Sequence, residues 1–397
     1  MNSEIFYLDH AAATPVDDKV LAAMQPYFSQ EFYNPSAAYL PAVKVRRDYE
    51  AAKDEIAQVL GCKSDEIVMT AGATESINLA FSAIGVANEA AEFIVGAFEH
   101  HSVIKAAEKN GVVKRISVDQ KGMINLDELA AAITPHTRIV SVMLANNETG
   151  VIQPIAKISE IVKAERLRRQ LAGEANPIYL HSDASQGVGQ LDIRVSRLGL
   201  DMLTLNGGKI YAPKQTGLLW VSRDVRLDPQ VVGGGQENNL RSGTENVPGV
   251  IGFAKALYLA DKHRKGENMR LLDIKASFKE LLRANFSETE LIFLGDEKQQ
   301  LNSHISLSFP GVDAERLVFG LESRGALVST GSACAANKHT RSHTLVAMGL
   351  SDEVIDGSLR LSFGKLTTDK NWRQAAEIII EVTKQEIDRL RTLNREQ

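Results

Sequence analysis

The sequence predicts an α/β protein, with a large domain on a mainly parallel mixed sheet and a smaller α+β domain after it. Three observations predict it. Short apolar runs rich in Ile, Val and Leu alternate with helical periodicity through the middle of the chain. Those runs are mostly apolar, as strands covered on both faces are. Beyond about residue 260 the alternation gives way to a different order of helices and strands.

In chain order, residues 66–70, 93–97, 139–144, 178–182, 202–205 and 218–221 read as buried strands. Helical patterns at 75–84, 103–109, 126–132 and 155–168 lie between them. In the tail, 268–285 reads as helix, and 304–309 and 357–363 as strands. Residues 371–393 form an amphipathic pattern with Ile378, Ile379, Val382, Ile387 and Leu390 on one side. A bridging helix is expected near 254–260, so the large domain is assigned to 14–258, and residues 1–13 with 259–397 to the smaller one.

Composition narrows the function. The 397 residues are 44% hydrophobic and 24% charged, enough for two globular domains. A net charge of −5 gives no electrostatic reason to expect nucleic acid or an anionic membrane as partner. The basic stretch 163–169 reads as a solvated helix face. No run approaches the ~20 apolar residues a membrane span needs, and no secretion signal is visible. Cys62 and Cys334, the two cysteines, build no disulfide framework and suit a reducing cytosol. A cytoplasmic protein is expected. His100 and His101 are adjacent, so they do not converge on one ion, and no metal site is expected.

Four motifs carry chemistry. Residues 70–76, TAGATES, follow one strand and open a helix, where small residues and free N–H groups favour a phosphate and Thr74 adds a hydroxyl. Taken alone, the same residues describe a plain strand-to-helix turn capped by Thr74. Residues 181–186, HSDASQ, end another strand, where Asp183 can pair with a protonated ring nitrogen or simply cap the next helix. Residues 205–209, LNGGK, place Lys209 among glycines at a third strand end, as a Schiff-base lysine or a surface turn requires. Residues 241–244, RSGT, follow three glycines and read as a second phosphate loop or a flexible turn. In combination these are the parts of a pyridoxal phosphate site.

With those residues in view, the chain resembles class V, fold-type I pyridoxal-phosphate enzymes, and within them NifS/IscS-type cysteine desulfurases. The resemblance runs from YLDHAA at 7–12 to RLSFG at 360–364, through NNETG at 146–150 and STGSAC at 329–334. It implies that Lys209 links to the cofactor aldehyde, Asp183 holds the pyridine nitrogen protonated and His100 stacks on the ring. Ala73 and Thr74 would bind the phosphate, with Asn206 in the cofactor-binding set. Gln186 would contact the ring hydroxyl, and Asn147 would lie beside substrate and cofactor. Thr244 would reach the phosphate of a neighbouring subunit, implying a homodimer. Arg360, with Asn34, would clamp the carboxylate of L-cysteine.

Cys334 sits in GSACAAN, small and polar with no apolar periodicity, followed by Lys338, His339, Arg341 and His343. An exposed, mobile loop in a positive neighbourhood favours the reactive thiolate. The resemblance makes Cys334 the nucleophile that takes sulfur from L-cysteine as a persulfide, leaving L-alanine. The acceptor would be a scaffold of iron–sulfur cluster assembly or a tRNA-thiolation pathway. A selenocysteine lyase, another class V aminotransferase or a non-catalytic relative are the alternatives. Departures exist: Asn206 and Gly208 stand where the family has serine and histidine, and HTRS at 339–342 replaces its Leu-Glu-Pro-Ser stretch.

Overall fold

The computed structural model describes residues 4–85, 91–330 and 341–396. Cys334 lies outside the described residues, as do Lys338 and His339.

The strands in chain order are β1 (Phe6–Tyr7), β2 (Ile67–Thr70), β3 (Glu92–Gly96), β4 (Val112–Ile116), β5 (Thr137–Ser141), β6 (Tyr179–Asp183), β7 (Met202–Asn206) and β8 (Gly217–Val221). There follow β9 (Ile292–Leu294), β10 (His304–Ser308), β11 (Ala326–Leu327), β12 (Ser329–Thr330) and β13 (Ser358–Ser362). The large sheet has seven strands in the order β2-β8-β7-β6-β5-β3-β4. Only β8 runs against its neighbours, so the sheet is mainly parallel and mixed, as the apolar runs predict. Its central strands are buried end to end, which is why they lack alternation. Helices on both faces close the core: Leu40–Leu60, with Val45, Ile56 and Leu60 fully buried, on one side, and Ala73–Gly85 with Ile77 and Phe81 on the other.

A four-stranded antiparallel sheet, β12-β13-β10-β9, forms the second layer system. The helices Ala314–Ser323 and Asp369–Glu396 cover it, with Phe278, Phe309 and Phe363 at its core. The helix Val247–Arg283 runs through both cores: Phe253 and Leu257 belong to the first, Ile274 and Phe278 to the second. Sequence patterning finds its two ends but not its continuity, because the charged run 261–267 between them carries no apolar stripe.

The N-terminal segment ties the two systems together. β1 pairs in parallel with β11, and Asp9 bridges to Ser362 at the end of β13. Thr14 then bonds back to Gly208 O, beside β7. Within the basic stretch, Arg168 is exposed and paired to Glu165 and Glu174, as expected. Arg169 is instead buried, and its guanidinium donates to the carbonyls of Thr134, Thr137 and Asn176. That correction has a simple cause, since carbonyls at a strand start leave acceptors that only a long cation reaches.

Candidate active site

Strands β2, β3, β5, β6 and β7 point the same way, and beyond their carboxyl ends lies a cavity of ≈ 400 Å³. A ligand site is expected there in an open α/β sheet. β2 leads to Ala73 and Thr74, β3 to His100, β5 to Asn147, β6 to Asp183 and Gln186, and β7 to Asn206 and Lys209. All of them line the cavity.

Local chemistry explains each placement. After β2 the chain turns through Gly72, whose φ of +136° disfavours any side chain, into the helix Ala73–Gly85. Its first N–H groups sit where an anion is stabilised. Glu75 secures the turn, accepting from Ala71 N at 2.8 Å and from Arg241 Nε at 2.9 Å. Asp183 is buried and accepts from Ser185 N at 3.0 Å. Asn206 caps its own turn by accepting from Gly208 N at 3.0 Å. A Cβ at Gly208 would meet nothing closer than 3.5 Å, so nothing in the structure explains why glycine stands there.

Lys209 Nζ donates to Ala11 O at 2.9 Å and Ala12 O at 2.7 Å. Gln186 Nε2 donates to the same Ala11 carbonyl at 3.1 Å. The N-terminal segment thus supplies the acceptors that hold the lysine at the cavity. His100 caps the helix His101–Asn110, its Nδ1 accepting from Ser102 N at 3.2 Å. Burial lowers its pKa, helped by the charge of Lys209 and opposed by Asp183, so the imidazole is neutral.

Arg360, on β13, brings the second sheet to the cavity. It is buried, donating to Asp9 Oδ1 at 2.5 Å and to Asn147 O at 3.1 Å. Asn34 is not brought to it. That residue is exposed and caps its own turn, accepting from Ser36 N at 2.9 Å. Thr244 is also exposed and lies outside the cavity lining.

Sequence reasoning missed two buried acids beside the site, although one of them lies in the NNETG motif at 146–150. Glu99, before His100, accepts from Met143 N at 2.6 Å, and burial raises its pKa well above the carboxylate range. Glu148, after Asn147, accepts hydrogen bonds from the Ser342 and Thr344 hydroxyls, and burial pushes it up to about 7. The turn that carries it is built by Asn146, whose Oδ1 accepts from the N–H groups of Glu148 and Thr149. Gly150 closes it at φ +72°, and a Cβ there would stand 2.6 Å from that of His304.

Two buried histidines oppose these acids in the pH dependence of stability. Burial pushes His304 down to about 3, and His181 to about 4 between the hydroxyls of Ser141 and Thr204. Below pH ~6.5 the unfolded chain binds protons the folded imidazoles refuse, so each loses about 1.4 kcal/mol of stability per unit as pH falls. Glu99 and Glu148, with raised values, have the opposite sign: what they contribute is largest below the unfolded carboxyl pKa and is lost as pH rises through their folded values. His304→Asn removes one imidazole from this balance. Between pH 6.5 and 5 its urea-derived stability should fall about 2 kcal/mol less than that of the wild type. Equal slopes would mean that His304 is not held neutral.

With this geometry in hand, comparison with known proteins adds the following. Residues 6–373 match the model of the Aminotransferase class-V family. The chain is 37% identical over 382 residues to "Cysteine desulfurase IscS" of Methanosarcina thermophila, covering 95% of this chain and 91% of that one. It is 37% identical over 395 residues to "Cysteine desulfurase IscS 1" of Archaeoglobus fulgidus, covering 98% of each. Among solved structures, a "NIFS-LIKE PROTEIN" superposes with a TM-score of 0.86 at 29% identity, covering 96% of this chain and 99% of that one.

Proposed function

Because this chain belongs to the class V aminotransferase family, among the NifS/IscS-type cysteine desulfurases, we propose that it binds pyridoxal 5'-phosphate in this cavity and moves sulfur from L-cysteine to Cys334. One observation carries the assignment of the site: Lys209, Asp183, His100, the start of the helix Ala73–Gly85 and Arg360 face one cavity from five separate elements.

The donor set fits the cofactor. A primary amine, a buried acid, a neutral imidazole and a helix start with a hydroxyl meet the needs of an aldehyde, a ring nitrogen, a ring face and a phosphate. When bound, pyridoxal phosphate supplies an electron sink for the charge released at the substrate's α-carbon. The rest falls to the chain. Lys209 would hold the cofactor aldehyde, and its free amine would be the base that takes the α-proton. The Ala11 and Ala12 carbonyls orient its N–H groups. Asp183 keeps the ring nitrogen protonated. His100 would stack on the ring and be available to relay a proton, and Arg360 would take the substrate carboxylate. The Cys334 thiolate then attacks the substrate sulfur: an S–S bond forms, the C–S bond breaks, and the carbon skeleton, reprotonated, leaves as alanine.

The persulfide passes to an acceptor protein, for iron–sulfur cluster assembly or tRNA thiolation. Thr244, exposed on the loop that Arg241 ties to Glu75, would reach the phosphate of a neighbouring copy in a homodimer. No helix among the described residues is long and apolar enough to cross a membrane, and a cytoplasmic enzyme fits that.

The direct test loads the purified protein with pyridoxal phosphate, adds L-cysteine and a reductant, and measures alanine and sulfide. A yellow protein forming both in equal amounts supports the reading; a colourless protein, or alanine without sulfide, overturns it. Arg360→Lys keeps the charge but loses the planar fork, so KM for L-cysteine should rise about tenfold or more. An unchanged KM would remove Arg360 from the substrate site.

A further inference from the structure

Glu148 has a buried carboxylate whose hydrogen bonds, among the described residues, go to one short stretch of chain. The Ser342 hydroxyl donates to its Oε2, and the Thr344 hydroxyl donates to its Oε1 at 3.2 Å. Ser342 Oγ also accepts from Leu345 N at 3.1 Å, so its one proton is committed to Glu148. Between those two residues, His343 Nε2 donates to the Glu99 carbonyl at 2.8 Å. Arg341, just before, is paired with Asp352 and Asp356. Residues 341–344 are thus held by both sheet systems, and Arg341, Ser342 and His343 line the active-site cavity.

On the other side of residues 331–340, Ser329 and Thr330 pair with Arg360 and Leu359 of β13. The chain that contains Cys334 therefore leaves from beside Arg360 and rejoins at Glu148. These ends share one support, since Arg360 donates to the carbonyl of Asn147, the residue before Glu148. The reach of Cys334 depends on where its flanks are held, and two hydroxyl hydrogen bonds to one buried side chain hold the returning flank.

We propose that Glu148 is a positioning residue for sulfur transfer: through Ser342 and Thr344 it fixes the point at which the chain following Cys334 rejoins the active site. The proposal rests on Cys334 being the sulfur acceptor. Glu148 takes no part in substrate binding or in proton removal at the α-carbon.

The test separates those steps. The pyridoxal-phosphate-loaded enzyme is mixed with L-cysteine, and two signals are followed: the change in visible absorbance on substrate binding, and one added sulfur in the intact-protein mass. Glu148→Ala should leave the absorbance change within about twofold and slow the mass change by about 10- to 100-fold, the cost of misplacing a reacting group. Glu148→Gln, which keeps an acceptor for one hydroxyl, should recover most of the loss. Ser342→Ala with Thr344→Val removes the donors instead and should give the same split, which keeps the test informative if Glu148→Ala folds poorly. Parallel loss of both signals in Glu148→Ala and in the donor variant, or a normal rate of sulfur gain in either, overturns the proposal. Cys334→Ala serves as control: if it still gains sulfur, the reading of Cys334 fails, whatever Glu148 does.

Discussion

Lys209→Ala is expected to abolish alanine and sulfide production, by a factor of about a thousand or more, and to leave a protein that no longer retains its yellow colour after dialysis. Two roles vanish together. The covalent anchor is lost, and with it the only amine that, among the described residues, lines the cavity at the ends of the parallel strands. Affinity for the cofactor is expected to fall less steeply than activity, because Asp183, the helix start at Ala73 and His100 remain. Added methylamine, a small diffusible base, should restore a little of the lost rate. A variant that keeps its colour and more than about a tenth of wild-type turnover would remove Lys209 from the mechanism. Lys214, five residues on, does not line the cavity and is not a substitute.

The second large effect separates cofactor chemistry from sulfur chemistry. Cys334→Ala is expected to bind pyridoxal phosphate normally, to give the same absorbance change with L-cysteine, and to form sulfide about a thousandfold more slowly. The sequence holds one other thiol. Cys62 is half-buried far along the sequence, and burial pushes its thiol up to about 12, with Glu66 and Asp65 adding to the effect. It is protonated at neutral pH and inert. Mass spectrometry after one turnover should find the added sulfur on the peptide containing Cys334. Sulfur on Cys62, or unchanged turnover in Cys334→Ala, would refute the assignment.

The large sheet was legible because burial on both faces writes itself into sequence as short runs rich in Ile, Val and Leu. β5, β6 and β7 fall within a few residues of the apolar runs that announce them. β4 was missed for the opposite reason: it is an edge strand, and Val112 and Arg115 are exposed. β1, β11 and β12 have two residues each, too few for any period to show. Asp183 and Lys209 were legible because each closes a strand with an unusual residue, a local signal. Asp9, Glu148 and the carbonyls of Ala11 and Ala12 were not. Their partners lie 351, 194, 198 and 197 positions away, and a main-chain oxygen has no letter of its own.

The N-terminal segment has a consequence for the order in which the molecule assembles. Asp9 and His10 find their partners on β13 across separations of 351 and 352 residues, among the longest loops this chain can close. Contacts of such separation form late, since their closure entropy is offset only once both ends are already structured. The parallel sheet, whose neighbours are nearer in sequence, can form first. Lys209 then waits for its two carbonyl acceptors, which arrive with the strap that joins β1 to β11. A refolding chain should therefore regain its helical signal before it regains the ability to hold the cofactor. Anything that hinders docking of residues 5–14, such as a bulky fusion at the front of the chain, should yield protein that is folded in its bulk yet slow to become an enzyme.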